Sequence, residues 1–175
     1  MSEAEEVRTA IEDQFEGLRG TVRIQRERRL WLAVGYPEFR PVFNFLADRL
    51  GFGQLSTITG TDEGTDLGYL YHLARESGTV LTLMTQAAKG ETIGSVGDRF
   101  PGAVIYEREL VDLFGARIAG LPEGPRYPLP DDWPVDKHPL LKDWKQSGEA
   151  GGPGGASGAT EESGATEAGE EAGDA

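Results

Sequence analysis

The run Tyr106-Glu107-Arg108-Glu109-Leu110-Val111-Asp112-Leu113-Phe114-Gly115 lies between Pro101 and a proline-rich segment, and the rest of the chain is arranged around it. At about 100° per residue, Ala103, Tyr106, Leu110, Leu113 and Phe114 share one narrow arc, with Arg108 and Asp112 opposite. That arc predicts a helix of at most about four turns with one apolar stripe toward a core. Pro101 suits the first turn, where a missing N–H costs nothing, and Gly115 suits the left-handed position just past the end. Arg108 and Asp112 are four apart and able to pair. The outer face therefore reads either as solvated surface with an ion pair, or as a mixed apolar and charged surface that meets another chain.

The following segment favours the second reading. Pro122, Pro125, Pro128, Pro130, Pro134 and Pro139 leave it few ways to continue a helix or to donate to a sheet. It nevertheless carries Tyr127, Leu129, Trp133, Leu140, Leu141 and Trp144. A segment of this kind cannot form a core alone, so its large apolar groups have to dock on something. The expected division is an α+β domain over 1–120, an extended interaction arm over 121–145, and a tail over 146–175.

The wording of this region resembles a known signature. Glu107-Arg108-Glu109, then Asp112-Leu113-Phe114-Gly115, then Leu129-Pro130-Asp131-Asp132-Trp133-Pro134, then His138-Pro139-Leu140 with Lys142-Asp143 is similar to the 30 kDa subunit of respiratory complex I, the NADH-quinone oxidoreductase. Related subunits of membrane-bound energy-converting nickel-iron hydrogenases and formate hydrogenlyase share the pattern. The likeness runs in order and spacing from about Ile93 to Asp143. Where many complex I members have Gly-His-Pro and then Leu-Arg-Arg, this chain has Gly120-Leu121-Pro122 and then Pro125-Arg126, and Leu141 stands where an arginine is usual. The Asp-Asp-Trp-Pro wording leans toward the hydrogenase branch.

The resemblance implies a non-catalytic peripheral-arm subunit that packs on a large 49 kDa-type subunit, a relative of nickel-iron hydrogenase large subunits, and lies beside an iron-sulfur subunit. It further implies that iron-sulfur clusters, and quinone or a nickel-iron centre, belong to those partners and that no cofactor is bound here. On this reading the complex sits at the cytoplasmic face of the cell membrane, and the chain meets the membrane only through it. Glu107, Arg108, Glu109, Asp112, Phe114, Gly115, Arg126, Asp132, Trp133, His138, Pro139, Lys142 and Asp143 become the candidate interface.

Composition bounds the alternatives. The 175 residues carry a net charge of −13, of which the seven acids beyond Lys145 account for seven. An acidic body and an acidic tail argue against nucleic acid or an anionic membrane as direct partner. A local basic patch at Arg23, Arg26, Arg28 and Arg29 is the weaker alternative, because alternation with apolar residues reads as a solvated sheet face. There is no cysteine, which removes disulfides, thiolate metal sites and thiol nucleophiles. No run approaches the roughly 18 apolar residues of a membrane helix, and the acidic start does not resemble a signal peptide. From Gln146 onward, nine glycines and no large apolar residue predict disorder.

Upstream, Ala4, Val7, Ile11, Phe15 and Leu18 predict a helix over 2–18 opened by a Ser2–Glu5 capping box. Alternation predicts strands at 22–25 and 30–34, and Pro41 limits the next helix to 40–50. Strands at 55–60, 67–75 and 79–87, joined by short turns, make an antiparallel meander; 90–100 holds three glycines and at most a helical turn. The order implies an α+β, two-layer fold with a mostly antiparallel sheet and helices on one face.

No catalytic constellation emerges. His72 and His138 are too few for a three-histidine zinc site, and His72 reads as a strand residue whose ring finds hydrogen-bond partners. Gly51-x-Gly53 and Gly94-x-x-Gly97 lack the strand–turn–helix context of a phosphate loop. Glu107 and Glu109 diverge by about 200° on a helix and cannot share a substrate. A free-standing enzyme or binding module using those carboxylates is the competing class, but the proline-rich arm has no evident place in it.

Overall fold

A computed structural model describes residues 2–145; the tail expected to be disordered lies outside the described residues. The first helix, α1, spans Glu3–Gln14 and opens as expected: Glu5 N donates to Ser2 Oγ at 3.3 Å, and Ser2 N donates to the Glu5 carboxylate at 2.9 Å. It ends short of Leu18 because Phe15 turns to an extended conformation, and Glu16–Leu18 tightens into a 3-10 turn. The Phe15 ring thereby meets Phe45 edge-on at 5.4 Å.

Strands β1 (Arg23–Arg26) and β2 (Arg29–Ala33) form a hairpin closed at Arg28, whose φ of 61° supplies the left-handed turn that no glycine marks. Helix α2 runs Tyr36–Asp48, beginning four residues earlier than Pro41 suggested, and holds Pro41 inside it. Pro41 forfeits one backbone hydrogen bond near the helix start. Complete burial of Val42, Phe43 and Leu46, with Phe39 nearly so, outweighs that loss.

The meander follows as β3 (Gln54–Asp62), β4 (Asp66–Ala74) and β5 (Val80–Ala88). The sheet order is β1-β2-β5-β4-β3, and all pairings are antiparallel except β2 with β5, where Leu30 faces Leu81 and Leu32 faces Leu83. Where the sequence suggested a helical turn after Gly90, a short strand β6 (Thr92–Gly94) pairs in parallel with β7 (Arg117–Ala119). Its partner lies beyond helix α3 (Ala103–Phe114), so nothing local announces it.

One face of the sheet is the core. Tyr69, Tyr71 and Leu73 of β4 lie beside Leu81 and Leu83 of β5 and Leu30 and Leu32 of β2, all essentially buried. The rings of Phe39 and Phe43 meet Tyr71 at 4.6 and 5.7 Å. Farther along the same face α3 crosses β3 at Gly60, where a Cβ would stand 2.5 Å from Leu110 Cδ2, so only glycine permits that approach. On the opposite face Trp31, Thr82 and His72 align by register. His72 Nδ1 lies 3.0 Å from Thr82 Oγ1 and its Nε2 3.2 Å from Thr59 Oγ1, while partial burial lowers its pKa by disfavouring the charged ring.

Candidate interaction site

Two carboxylates of α3 are buried, and neither belongs to the expected apolar arc. Glu107 is 1% exposed; its carboxylate accepts from Ser95 Oγ at 2.6 Å and from Val96 N at 2.7 Å, tying α3 to the chain after β6. Buried backbone and hydroxyl donors of this kind are costly to leave unpaired, so Glu107 is an internal strut.

Asp112 is the larger correction. It does not form the i,i+4 pair with Arg108 and does not lie on a solvated face. It is 5% exposed and its Oδ1 accepts from Arg126 Nε at 3.1 Å. The reason is that residues after β7 fold back across the outer side of α3. Arg108 instead donates from Nη2 to the carbonyls of Pro122 and Glu123, at 3.3 and 3.1 Å.

The folded-back segment, residues 121–145, has no helix or strand and is held by discrete bonds. Arg126 Nη1 donates to the Trp133 carbonyl at 2.5 Å, and Trp133 Nε1 donates to the Lys137 carbonyl at 2.8 Å. The rings of Trp133 and Trp144 lie 6.4 Å apart. His138 Nδ1 bonds to the Asp112 carbonyl at 2.8 Å, which requires the proton on Nδ1. Its ring packs on Gly115, where a Cβ would be 2.7 Å from Cδ2; with φ at 69°, glycine is required there twice over. Leu140 N donates to the Leu113 carbonyl at 3.1 Å, and Lys142 N to Asp62 Oδ2 at 2.8 Å.

Asp62 is the far anchor of this segment. Besides Lys142 N it accepts from Lys89 Nζ at 2.9 Å and from Gly64 N at 2.8 Å, and these donors, Lys89 foremost, hold its pKa down to about 2.

The structure thus joins Asp112, Arg126, Trp133 and His138 by direct hydrogen bonds, with Gly115 under the His138 ring and Arg108 bonded separately to the same segment; Glu107 bonds toward Ser95 and Val96, and Lys142 toward Asp62 of β3. Phe114 faces Gly60, toward the core. Glu109 and Pro139 are half-buried, and Asp132 and Asp143 are exposed. Sequence reasoning missed Asp62, Lys89 and Ser95. Asp62-Glu63-Gly64 was legible as a turn, but its bond to Lys142 joins positions too far apart for spacing to show. Among the described residues no helix is long and apolar enough to cross a membrane, and no group of three or more histidines and carboxylates is placed to hold a metal ion. What the arrangement does chemically is fix a backbone and present side chains.

Fold and site together define an α+β domain with its C-terminal segment folded back against one helix. The chain belongs to the family described as respiratory-chain NADH dehydrogenase, 30 Kd subunit, which matches residues 32–150. It is 28% identical over 152 residues to membrane-bound hydrogenase subunit beta of Pyrococcus furiosus, covering 83% of this chain and 88% of that one. It is 34% identical over 140 residues to formate hydrogenlyase subunit 5 of Escherichia coli, covering 77% of this chain and 24% of the relative, and so spans only a quarter of that protein's length. With an NADH-quinone oxidoreductase subunit of Acidothermus cellulolyticus the identity is 36% over 111 residues, covering 58% and 55% of the two chains. Among solved structures, a chain of the membrane-bound sulfane sulfur reductase, an archaeal respiratory membrane complex, superimposes with a TM-score of 0.70 at 25% identity, covering 81% and 85%.

Proposed function

We propose that this chain is a non-catalytic peripheral subunit of a membrane-bound oxidoreductase complex of the complex I type, in which it packs on the large 49 kDa-type subunit and supports electron transfer to quinone. One observation carries the reading. The large hydrophobic side chains left exposed among the described residues are Ile105, Tyr127, Val135 and Leu140, all of them on α3 or in the segment folded across it. Large apolar groups left exposed on these two elements alone, which also carry exposed charges, are the usual marks of a protein interface. Residues 121–145 act as the interaction arm, with Arg108, Trp133, Asp132 and Asp143 at its contact edge. An adjacent iron-sulfur subunit is a second partner. Iron-sulfur clusters and the quinone or nickel-iron centre reside in those partners, the chain itself binds none, and the complex lies at the cytoplasmic face of the membrane.

A second reading within the same class, a subunit of an energy-converting hydrogenase or formate hydrogenlyase, is favoured by the likeness to the Pyrococcus hydrogenase subunit over most of both chains. Gentle solubilisation of membranes from cells carrying the tagged chain, followed by mass spectrometry and metal analysis, tests both. A large subunit and iron-sulfur proteins should co-purify; flavin with them supports the NADH-quinone branch and nickel the hydrogenase branch. Recovery of the chain alone overturns the proposal.

A further inference from the structure

A cleft of about 410 Å3 opens between α3, β7 and the first residues of the C-terminal segment. Its charged lining is Arg108, Arg117, Arg126, Asp112 and Glu123, one net positive charge on a chain whose sequence carries −13. Its apolar lining includes Val111, Ile118 and Leu121. Arg108 uses Nη2 on two carbonyls and Arg126 uses Nε and Nη1 internally, so each guanidinium retains further donors. Arg117 is exposed at the start of β7.

Within this lining is an unmet demand. Asp112 Oδ2 is buried and has no hydrogen-bond partner among the described residues, although Oδ1 of the same carboxylate is paired with Arg126. A buried carboxylate oxygen without a donor costs free energy, and native sites seldom leave one so. The missing donor has to be one that three neighbouring guanidinia tolerate, which disfavours a lysine or arginine and favours a neutral N–H. The guanidinia themselves call for an anion or a carbonyl oxygen.

A ligand that offers a neutral N–H, an anionic group and some apolar surface within a few ångströms is a peptide loop containing an aspartate or glutamate. We propose that this cleft is a socket for an acidic loop of the neighbouring subunit, whose carboxylate meets the Arg108, Arg117 and Arg126 guanidinia while a peptide N–H completes Asp112 Oδ2. The inference rests on the reading of the chain as an assembly subunit and specifies what that assembly inserts, and where. It also places Arg117, which the sequence signature does not include, in the interface.

The test uses the native complex. Arg117→Glu changes an exposed side chain, so the fold is retained while the charge offered to the loop is reversed. Recovery of the large subunit with the tagged chain should fall at least tenfold relative to wild type, with Arg117→Lys close to wild type. A photo-crosslinking amino acid at position 117 should join, in the intact complex, to a peptide of a partner subunit that contains aspartate or glutamate. Unchanged recovery with Arg117→Glu, or crosslinks confined to peptides without an acidic residue, overturns the inference while leaving the assembly reading intact. Failure of the wild-type chain to recover any large subunit overturns both.

Discussion

The sheet with its helices and the segment after β7 are held in opposite ways. In the first, Tyr69, Tyr71, Phe43, Leu73 and Leu81 are buried together, and each touches several others; the stabilisation is graded and shared. In the second, no helix or strand forms, and the path is fixed by a few named bonds: Arg126 to Asp112 and Trp133, His138 to Asp112, Leu140 to Leu113, Lys142 to Asp62. A shared core tolerates loss of one member by partial collapse. A path fixed by single bonds loses its course at the bond that breaks. A segment built in the second way is one whose exact shape matters more than its contribution to global stability.

The contrast can be broken most visibly in the core. Tyr71→Ala should cost about 3–5 kcal/mol and lower the melting temperature of the chain by about 10 °C, because it empties the position against which Phe39 and Phe43 pack. Calorimetry or thermal circular dichroism reads this directly. A fall of only a degree or two would show that the sheet face is not the shared core described.

Arg126→Ala should cost about 2 kcal/mol, but locally. It leaves the Asp112 carboxylate buried without its cation and the Trp133 carbonyl without its donor. Trypsin cleavage after Lys137 should accelerate on the order of tenfold while the main thermal transition moves little. Equal shifts in both would mean that the segment and the body unfold as one unit, and the contrast would dissolve.

The smallest effect sharpens the junction between the two regions. The folded-state pKa of Asp62 is about 2, below its ordinary value of 3.8, so its contribution is present above pH 4 or so and is lost as pH falls through the folded value. Asp62→Asn should therefore be less stable than wild type at pH 5, with the difference much reduced by about pH 2 and gone below it. Melting temperatures across that range provide the measurement. A difference that persists undiminished at pH 2 would remove the charge of Asp62 from the account.

How much of this could be read from the chain follows the same division. The meander was legible because Leu67, Tyr69, Tyr71 and Leu73 recur every second residue in β4, and the turns before and after that strand are marked by glycine. The signature helix and its left-handed end were legible for similar reasons. Two kinds of feature were not. The extent of α2 was misjudged because Pro41 was weighed by its local cost, whereas burial of the helix face decides the matter. The burial of Asp112 was misjudged because helix periodicity reports on one helix at a time, and a segment that returns fourteen residues later can bury what spacing exposes. Pairings such as β6 with β7 and Asp62 with Lys142 depend on where distant chain arrives, which no local pattern encodes.

The parallel contact between β2 and β5 has a consequence for how the molecule comes into being. Arg29 pairs with Val80 and Ala33 with Met84, contacts about fifty positions apart, while an isolated two-stranded hairpin is marginal in water. The inner edge of the β1–β2 hairpin is therefore open until β5 has been made and can pair with it. Slow translation of the meander would prolong the lifetime of that open edge, and with it the period in which the nascent chain is vulnerable to pairing with strands other than its own.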